Sequence, residues 1–369
     1  MAGIILSLIL LIWLAWRNVS VIVLAPLCAT LAVLLDGELP VLAAYTQIFM
    51  ASVGQFIVRF FPLFLLGAIL GRLMEDSGSA ARIAVLITRW LGTRRSVLAV
   101  VLSCAVLTYG GVSLFVVVFA VHPLCRSLFR EADIPRRLIP AAIALGAFTF
   151  TMTALPGSVQ IQNLIPMPFF RTDAYAAPWL GCLGGGLMFA MGMAWLNHRV
   201  KTLQQAGEGF GSDGRDEHSA DSVRRLPSAF SAMAPIVCVI ILNYAFSRHL
   251  IPGWETSYLA EPRFGGTELS RVAGLWSAIL SLLFTVVLTI ALHFRSAAQL
   301  QKSVAAGAGS ALLPIFNTAS EFGYGSTIAA LSGFAVVRQF VTGLAPDNPL
   351  ISESIAVNTL AAITGSASG

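Results

Sequence analysis

Residues 96–124 read SVLAVVLSCAVLTYGGVSLFVVVFAVHPL, an almost uncharged run with Thr108-Tyr109-Gly110-Gly111 near its centre. Gly-Gly is a poor helix interior and a good turn, because glycine gains the most freedom when a helix ends. A crossing helix needs about 20 apolar residues. The arms on either side of the glycines, 96–107 and 112–124, are each too short for that. The run is therefore either one broken crossing or a hairpin that enters and leaves on the same side.

Charge separates the two readings, since short cytoplasmic loops collect Lys and Arg. With a hairpin, Arg17, the basic groups of 72–95, 125–137 and 199–228, Arg295 and Lys302 share one side. Only Arg171, Arg248, Arg263 and Arg271 fall opposite. A single crossing would move Arg17 and the 72–95 group across and erase the asymmetry. The sequence thus predicts a re-entrant hairpin, with the N-terminus outside and the loops 72–95, 125–137 and 199–228 in the cytoplasm.

The rest of the chain agrees with a membrane setting. It has 369 residues, 57% hydrophobic and 11% charged, with a mean hydropathy of +0.81. A soluble domain carries about 25% charged residues, which excludes a water-facing globule. The net charge of +5 is scattered between apolar runs, so no basic face could track nucleic acid. The five cysteines, Cys28, Cys104, Cys125, Cys182 and Cys238, form no Cys-x-x-Cys pair, which argues against a disulfide scaffold and a metal site. Predicted spans are 2–16, 20–35, 54–72, 138–155, 176–197, 229–248, 271–294 and 303–322. No basic residue precedes 2–16, so it lacks the basic region of a signal peptide and reads as an uncleaved helix.

An internal echo organises these spans. Glu75-Asp76-Ser77-Gly78-Ser79-Ala80 follows one apolar helix, and Glu321-Phe322-Gly323-Tyr324-Gly325-Ser326 follows another. Val106–Ser113 has its counterpart in Ala362–Gly369. By the charge count the two units run in opposite directions, an inverted-topology repeat of the kind found in secondary transporters. The expected architecture is an all-α polytopic membrane protein with re-entrant hairpins and broken transmembrane helices. Its parts are N-terminal helices (1–53), repeat one (54–198, with hairpin 96–124 and broken helix 138–165), a mobile cytoplasmic linker (199–228), intervening helices (229–302) and repeat two (303–369). Repeat one continues well past its hairpin, whereas repeat two stops at its tip. That suggests a C-terminally incomplete chain, since orphan backbone groups at bilayer depth are costly.

Non-helical backbone at membrane depth is tolerated only where protein buries it or a cavity adjoins it. Three stretches qualify: Thr108–Ser113, with Thr108, Tyr109, Gly110, Gly111 and Ser113; Thr151–Asn163, with Thr153; and Thr364–Gly369, with Thr364, Gly365, Ser366 and Ser368. In the second, Pro156-Gly157 interrupts the helix and Ser158, Gln160, Gln162 and Asn163 follow. All are rich in hydroxyls, amides and glycines. Such a set suits an anion held by backbone N–H groups and short donors at half-helix ends. Gly181, Gly184–Gly186 and Gly67/Gly71 read instead as close-packing positions.

Proton coupling needs a titratable group on the path. Glu321, beside the Gly-Tyr-Gly-Ser interruption, is the leading candidate, against the plain alternative of an interfacial carboxylate. Glu75 and Asp76 are further candidates, and read more simply as an interfacial pair capping a helix that starts near Ser77. His122 reads as a packing histidine. No Ser-His-Asp or His-Glu-x-x-His arrangement marks an enzyme, and no phosphate loop is present.

At these residues the sequence resembles a family. Thr108-Tyr109-Gly110-Gly111-Val112-Ser113, running on to His122-Pro123, resembles a signature of the gluconate permease (GntP) family. So do Phe129–Pro140 and Phe148–Asn163, the latter with Ala154-Leu155-Pro156-Gly157 and Gln160-Ile161-Gln162-Asn163. Ile363–Gly369 is similar to that family's second-half motif. The resemblance implies an inner-membrane, proton-coupled symporter for gluconate or a related small hydroxy-carboxylate, with no cofactor and no metal. Its partners are the carboxylate, protons and the bilayer, and a homo-oligomer stays open. Na⁺ coupling, another carboxylate, a passive channel and an inactive fragment stay open as well.

Overall fold

The computed structural model describes residues 2–17, 19–92, 95–112, 114–211, 226–343 and 348–364, all as helices, turns and connecting segments. In chain order the helices are α1 (Ala2–Trp16), α2 (Val21–Asp36), α3 (Val41–Ala43), α4 (Met50–Asp76), α5 (Ser79–Leu91), α6 (Ser96–Tyr109), α7 (Leu114–Glu131), α8 (Ile139–Ala147) and α9 (Phe150–Thr153). Then come α10 (Ile161–Leu164), α11 (Met167–Phe170), α12 (Pro178–Gln205), α13 (Ala229–Ala245), α14 (Leu269–His293), α15 (Ala297–Ala329), α16 (Phe334–Gly343) and α17 (Pro349–Thr364). A π-helical stretch, Ala44–Phe49, joins α3 to α4 without a break. Among the described residues four helical stretches are long and apolar enough to cross a bilayer: Val41–Asp76, Pro178–Gln205, Ala229–Gly253 and Leu269–His293. The protein is an all-α polytopic membrane protein, as its composition requires.

The chain forms two compact units, Met1–Phe64 with Ala311–Gly369, and Leu65–Ser310. Helices α4 and α15 each contribute to both. In the first unit α1 lies along α2, with Gly3 against Ala32 and Leu35. Ile4, Ala32, Val33, Ala44, Ile328 and Leu331 form a buried cluster. The Ser7 hydroxyl lies 3.0 Å from that of Tyr324, and Phe56 packs on Phe322 with centroids 5.5 Å apart.

In the second unit α7 doubles back along α6, and α5 packs on both arms. The arms bury Val100, Cys104, Leu107, Val117, Val121 and Phe129 completely. Helix α8 crosses α6 so closely that a Cβ on Gly146 would meet the Val101 carbonyl. On α14, Ser277, Ser281, Thr285 and Thr289 form one fully buried stripe. The last three turn their hydroxyls back to their own helix, to the carbonyls of Ala278, Ser281 and Thr285. Small hydroxyl-bearing residues of this kind let apolar helices approach closely. Gly181 and Gly185 of α12 serve the same end against Ala154 and Leu155, whereas a Cβ on Gly184 or Gly186, expected to pack as well, would meet open space.

Three sequence expectations change. Glu321 does not stand beside an interruption, because α15 runs unbroken through Gly323-Tyr324-Gly325-Ser326. The reason is packing: a Cβ on Gly323 would lie 2.8 Å from a Val53 methyl, so the small residue admits a neighbour. Glu75 and Asp76 do not cap α5, whose N-cap is Gly78. They pair with Arg72 at 3.3 and 2.9 Å, and Asp76 also accepts from the Ser303 hydroxyl at 2.7 Å.

The linker, expected to be mobile over 199–228, begins as the last turns of α12, which runs to Gln205, and continues as a docked strap. Arg137 pairs with Glu208, Asp133 Oδ1 accepts the Phe210 N–H at 2.9 Å, and the Arg130 guanidinium lies 5.4 Å from the Phe210 ring centroid. Phe210 is buried, and its apolar area outweighs the freedom that the Gly-rich composition suggests.

Candidate functional site

Helix α6 stops at Tyr109 because the next two residues close it. Gly110 N donates to Val106 O, Gly111 N to Thr108 O and Val112 N to Leu107 O, at 3.0 to 3.1 Å. Gly111 takes φ +82°, and a Cβ there would lie 2.8 Å from a Val159 methyl. An L-residue in that region costs about 1–2 kcal/mol before any clash. The turn therefore needs glycine twice over, for its backbone and for the chain that packs on it.

That chain is the Pro-Gly interruption between α9 and α10. Gln160, 9% exposed, donates from Nε2 to Thr108 O at 2.6 Å and to Val112 O at 3.3 Å. Thr108 O also takes the Gly111 N–H at 3.0 Å, so Gln160 is its second donor, and Val112 O lies just beyond the helix end. Tyr109 returns the link, its hydroxyl donating to Pro156 O at 2.7 Å. Gln160 and Tyr109 thus sew tip and interruption together in both directions, and in hydrocarbon an unmet backbone group costs several kcal/mol.

A second ring of contacts holds the interruption. Gly157, at φ +80°, donates its N–H to Ala174 O at 2.6 Å. Its carbonyl accepts from Asn243 Nδ2 of α13 at 3.2 Å, and the Ser277 hydroxyl of α14 sits 2.9 Å from Asn243 Oδ1. Asn163 Nδ2 donates to Ser158 O at 2.8 Å. The Ser158 hydroxyl donates to Thr151 O, and that of Thr151 to Gly146 O, both at 2.8 Å. The Tyr175 ring lies directly on Gly157, where a Cβ would fall 2.5 Å from the ring edge.

The cluster contains no charged side chain among its described residues. The nearest charges sit at its rim. Arg248 pairs with Asp173 at 3.4 Å and lies 5.8 Å from the Tyr175 ring centroid, while Asp173 accepts the Tyr175 N–H at 2.8 Å. The expected role of the backbone donors needs correction. The N–H groups of Gly110, Gly111, Val112, Gly157 and Ser158 all find acceptors within the protein, because the tip closes on itself and the segment at Ala174 takes the Gly157 N–H. What stays available is side-chain chemistry: Thr108 Oγ1, Gln162 Oε1 and Tyr175 Oη are buried without a hydrogen-bond partner.

The structure therefore brings Thr108, Tyr109, Gly110, Gly111, Pro156, Gly157, Ser158, Gln160 and Asn163 into one bonded layer. Thr153 is exposed on α9, its hydroxyl turned to Thr149 O. Ser113, Gly365, Ser366, Ser368 and the side chain of Thr364 lie outside the described residues. His122 is not a packing residue but is exposed on α7, in a groove apart from this layer.

Asn243, Ser277 and Tyr175 were not anticipated. Asn243 had a signal, an amide within the apolar run 229–248. Tyr175 had none, since only the fold places it over Gly157.

The sequence pattern of the family described as GntP family permease matches residues 1–247. The "Uncharacterized transporter YxjC" of Bacillus subtilis (strain 168) is 45% identical over 382 residues, covering 99% of this chain and 80% of that protein. An "Uncharacterized transporter" of Haemophilus influenzae (strain ATCC 51907 / DSM 11121 / KW20 / Rd) is 27% identical over 180 residues, 48% of this chain and 40% of that protein. No solved structure matches.

Proposed function

This chain belongs to the GntP permease family, a family of transporters, and from that premise we propose that it imports a small hydroxy-carboxylate, gluconate first among them, by proton symport. The observation that carries the reading is the bonded layer of the hairpin tip and the Pro-Gly interruption. It is held by Gln160 and Tyr109 and leaves a buried hydroxyl at Thr108; Tyr175, over Gly157, and Gln162, on α10, carry further buried oxygens without a partner. A hydroxy-carboxylate supplies what those atoms lack: carboxylate oxygens that accept from the two hydroxyls, and an alcohol that donates to Gln162 Oε1.

The absence of a fixed positive charge in the layer matters to release. A buried Arg would hold a carboxylate by a bidentate, charge-assisted pair, whereas neutral donors bind it weakly enough to let it go. Glu321, half-buried within α15, is the proposed proton carrier, since a carboxylate can cross from charged to neutral as it loads.

Uptake of radiolabelled gluconate into proteoliposomes, with and without an inward proton gradient, tests the function. Accumulation only with the gradient is the expected result. Failure to accumulate gluconate or any small hydroxy acid that competes with it overturns the substrate class. Glu321→Gln is expected to leave downhill exchange but remove the gradient dependence, and unchanged dependence removes Glu321 from the mechanism.

A further inference from the structure

A groove of about 340 Å³ is lined by His122, Arg126, Arg136, Ile139 and Pro140. We propose that it seats the phosphate headgroup of an anionic phospholipid. His122 and Arg126 stand one turn apart on α7 and so share a face. Arg136 approaches from the 3-10 turn Arg136–Leu138, which is anchored by buried Ile134 and Leu138 on either side. Two guanidinium groups and an imidazole thus converge above an apolar floor of Ile139 and Pro140. Arginine forks match the oxygens of a phosphate diester, and the apolar floor suits the glycerol and the start of the acyl chains.

Depth favours a lipid over a soluble anion. At 1.5 Å per residue, His122 lies about 12 Å and Arg126 about 18 Å along α7 from its start beside the tip. With the tip near mid-bilayer, half of a hydrocarbon core of about 30 Å ends between them. This step rests on the re-entrant reading of the hairpin. Arg126 and Arg136 make further contacts within the chain, so a headgroup shares them. Basic pockets at the membrane boundary are where anionic headgroups dock.

The test measures lipid retained by the purified full chain in detergent, by native mass spectrometry, with phosphatidylglycerol and phosphatidylcholine supplied equally. Phosphatidylglycerol is expected to be retained about tenfold over phosphatidylcholine, and Arg126→Gln with Arg136→Gln to lose that preference, a change of about 1.4 kcal/mol. Arg126→Lys with Arg136→Lys keeps the charges and is expected to keep part of it. Equal retention of the two lipids by the native chain overturns the proposal, as does full retention by the Gln variant. Displacement by millimolar inorganic phosphate also overturns it, by making the groove a soluble-anion site. If the Gln variant does not fold, His122→Gln and the native lipid ratio decide. Side-specific cysteine labelling at the exposed Trp90 and Glu131 checks the hairpin separately: labelling from opposite sides, with lipid preference intact, defeats the re-entrant reading and leaves the groove.

Discussion

Gly110 and Gly111 end a helix, whereas Gly323 and Gly325 lie inside one that continues to Ala329. The neighbours make the difference. At Gly111 a second segment arrives with its own donors, Gln160 donates to the Thr108 and Val112 carbonyls, and Val159 fills the space a side chain would need. At Gly323 the neighbour is the apolar edge of Val53 and Phe49, which offers no hydrogen bond. The backbone there must satisfy itself, and in an apolar setting that means helix. Glycine permits a break; a polar partner at the same depth makes the break affordable.

The contrast can be broken most directly at Gly111. Gly111→Val places a β-branched residue at φ +82° against Val159 and is expected to destabilise the protein by about 3 kcal/mol, strain and overpacking together. Uptake should vanish and the melting temperature fall; a normal melt would mean that the turn is not the constraint described.

Gln160→Leu comes next. It removes the side-chain donor from Val112 O and from Thr108 O, which keeps the Gly111 N–H, and a lost buried partner costs about 1–3 kcal/mol. Uptake is expected to drop at least about tenfold, and near-native transport would show that the link between tip and interruption is dispensable.

A matched pair sharpens the comparison further. Tyr109→Phe and Tyr324→Phe each remove one hydroxyl contact, to Pro156 O and to Ser7 respectively. Each should cost about 0.6–1.7 kcal/mol of stability. Only Tyr109→Phe is expected to impair uptake, so equal transport by the two variants would separate the bonded layer from function. The smallest effect belongs to Gly325→Ala. Nothing lies within 4 Å of a Cβ there, so the helix is expected to gain about 0.5–1 kcal/mol. A loss instead would show that α15 must bend or open at that point.

Legibility followed the range of the interactions. The hairpin turn was readable because Gly-Gly between short apolar arms is a local conflict with helix. The Pro156-Gly157 interruption was readable for the same reason, but the earlier end of the helix at Ala147 was not. Gln160 could be singled out as an amide at depth, but not as the group that ties Thr108 to Val112. The docked strap was misread, since Ala206–Gly211 has linker composition and only the pocket around Phe210, formed by Arg130 and the loop at Asp133, fastens it. Asp76 was misassigned to a cap because Ser303, its partner, lies far along the chain.

By itself the sequence determined the solvent this protein lives in, the positions of its apolar helices, and the points where glycine and proline allow the backbone to leave the helix. Each of these depends on transfer energies and dihedral limits that act within a few residues. Tertiary structure decided which allowed breaks are used, and which polar atoms are spent and which left over. Thr108 gives its carbonyl to Gln160 while its hydroxyl stays unmatched. Hydrogen bonds are short and directional, so the partner of a polar group at membrane depth is fixed only when distant segments arrive beside it.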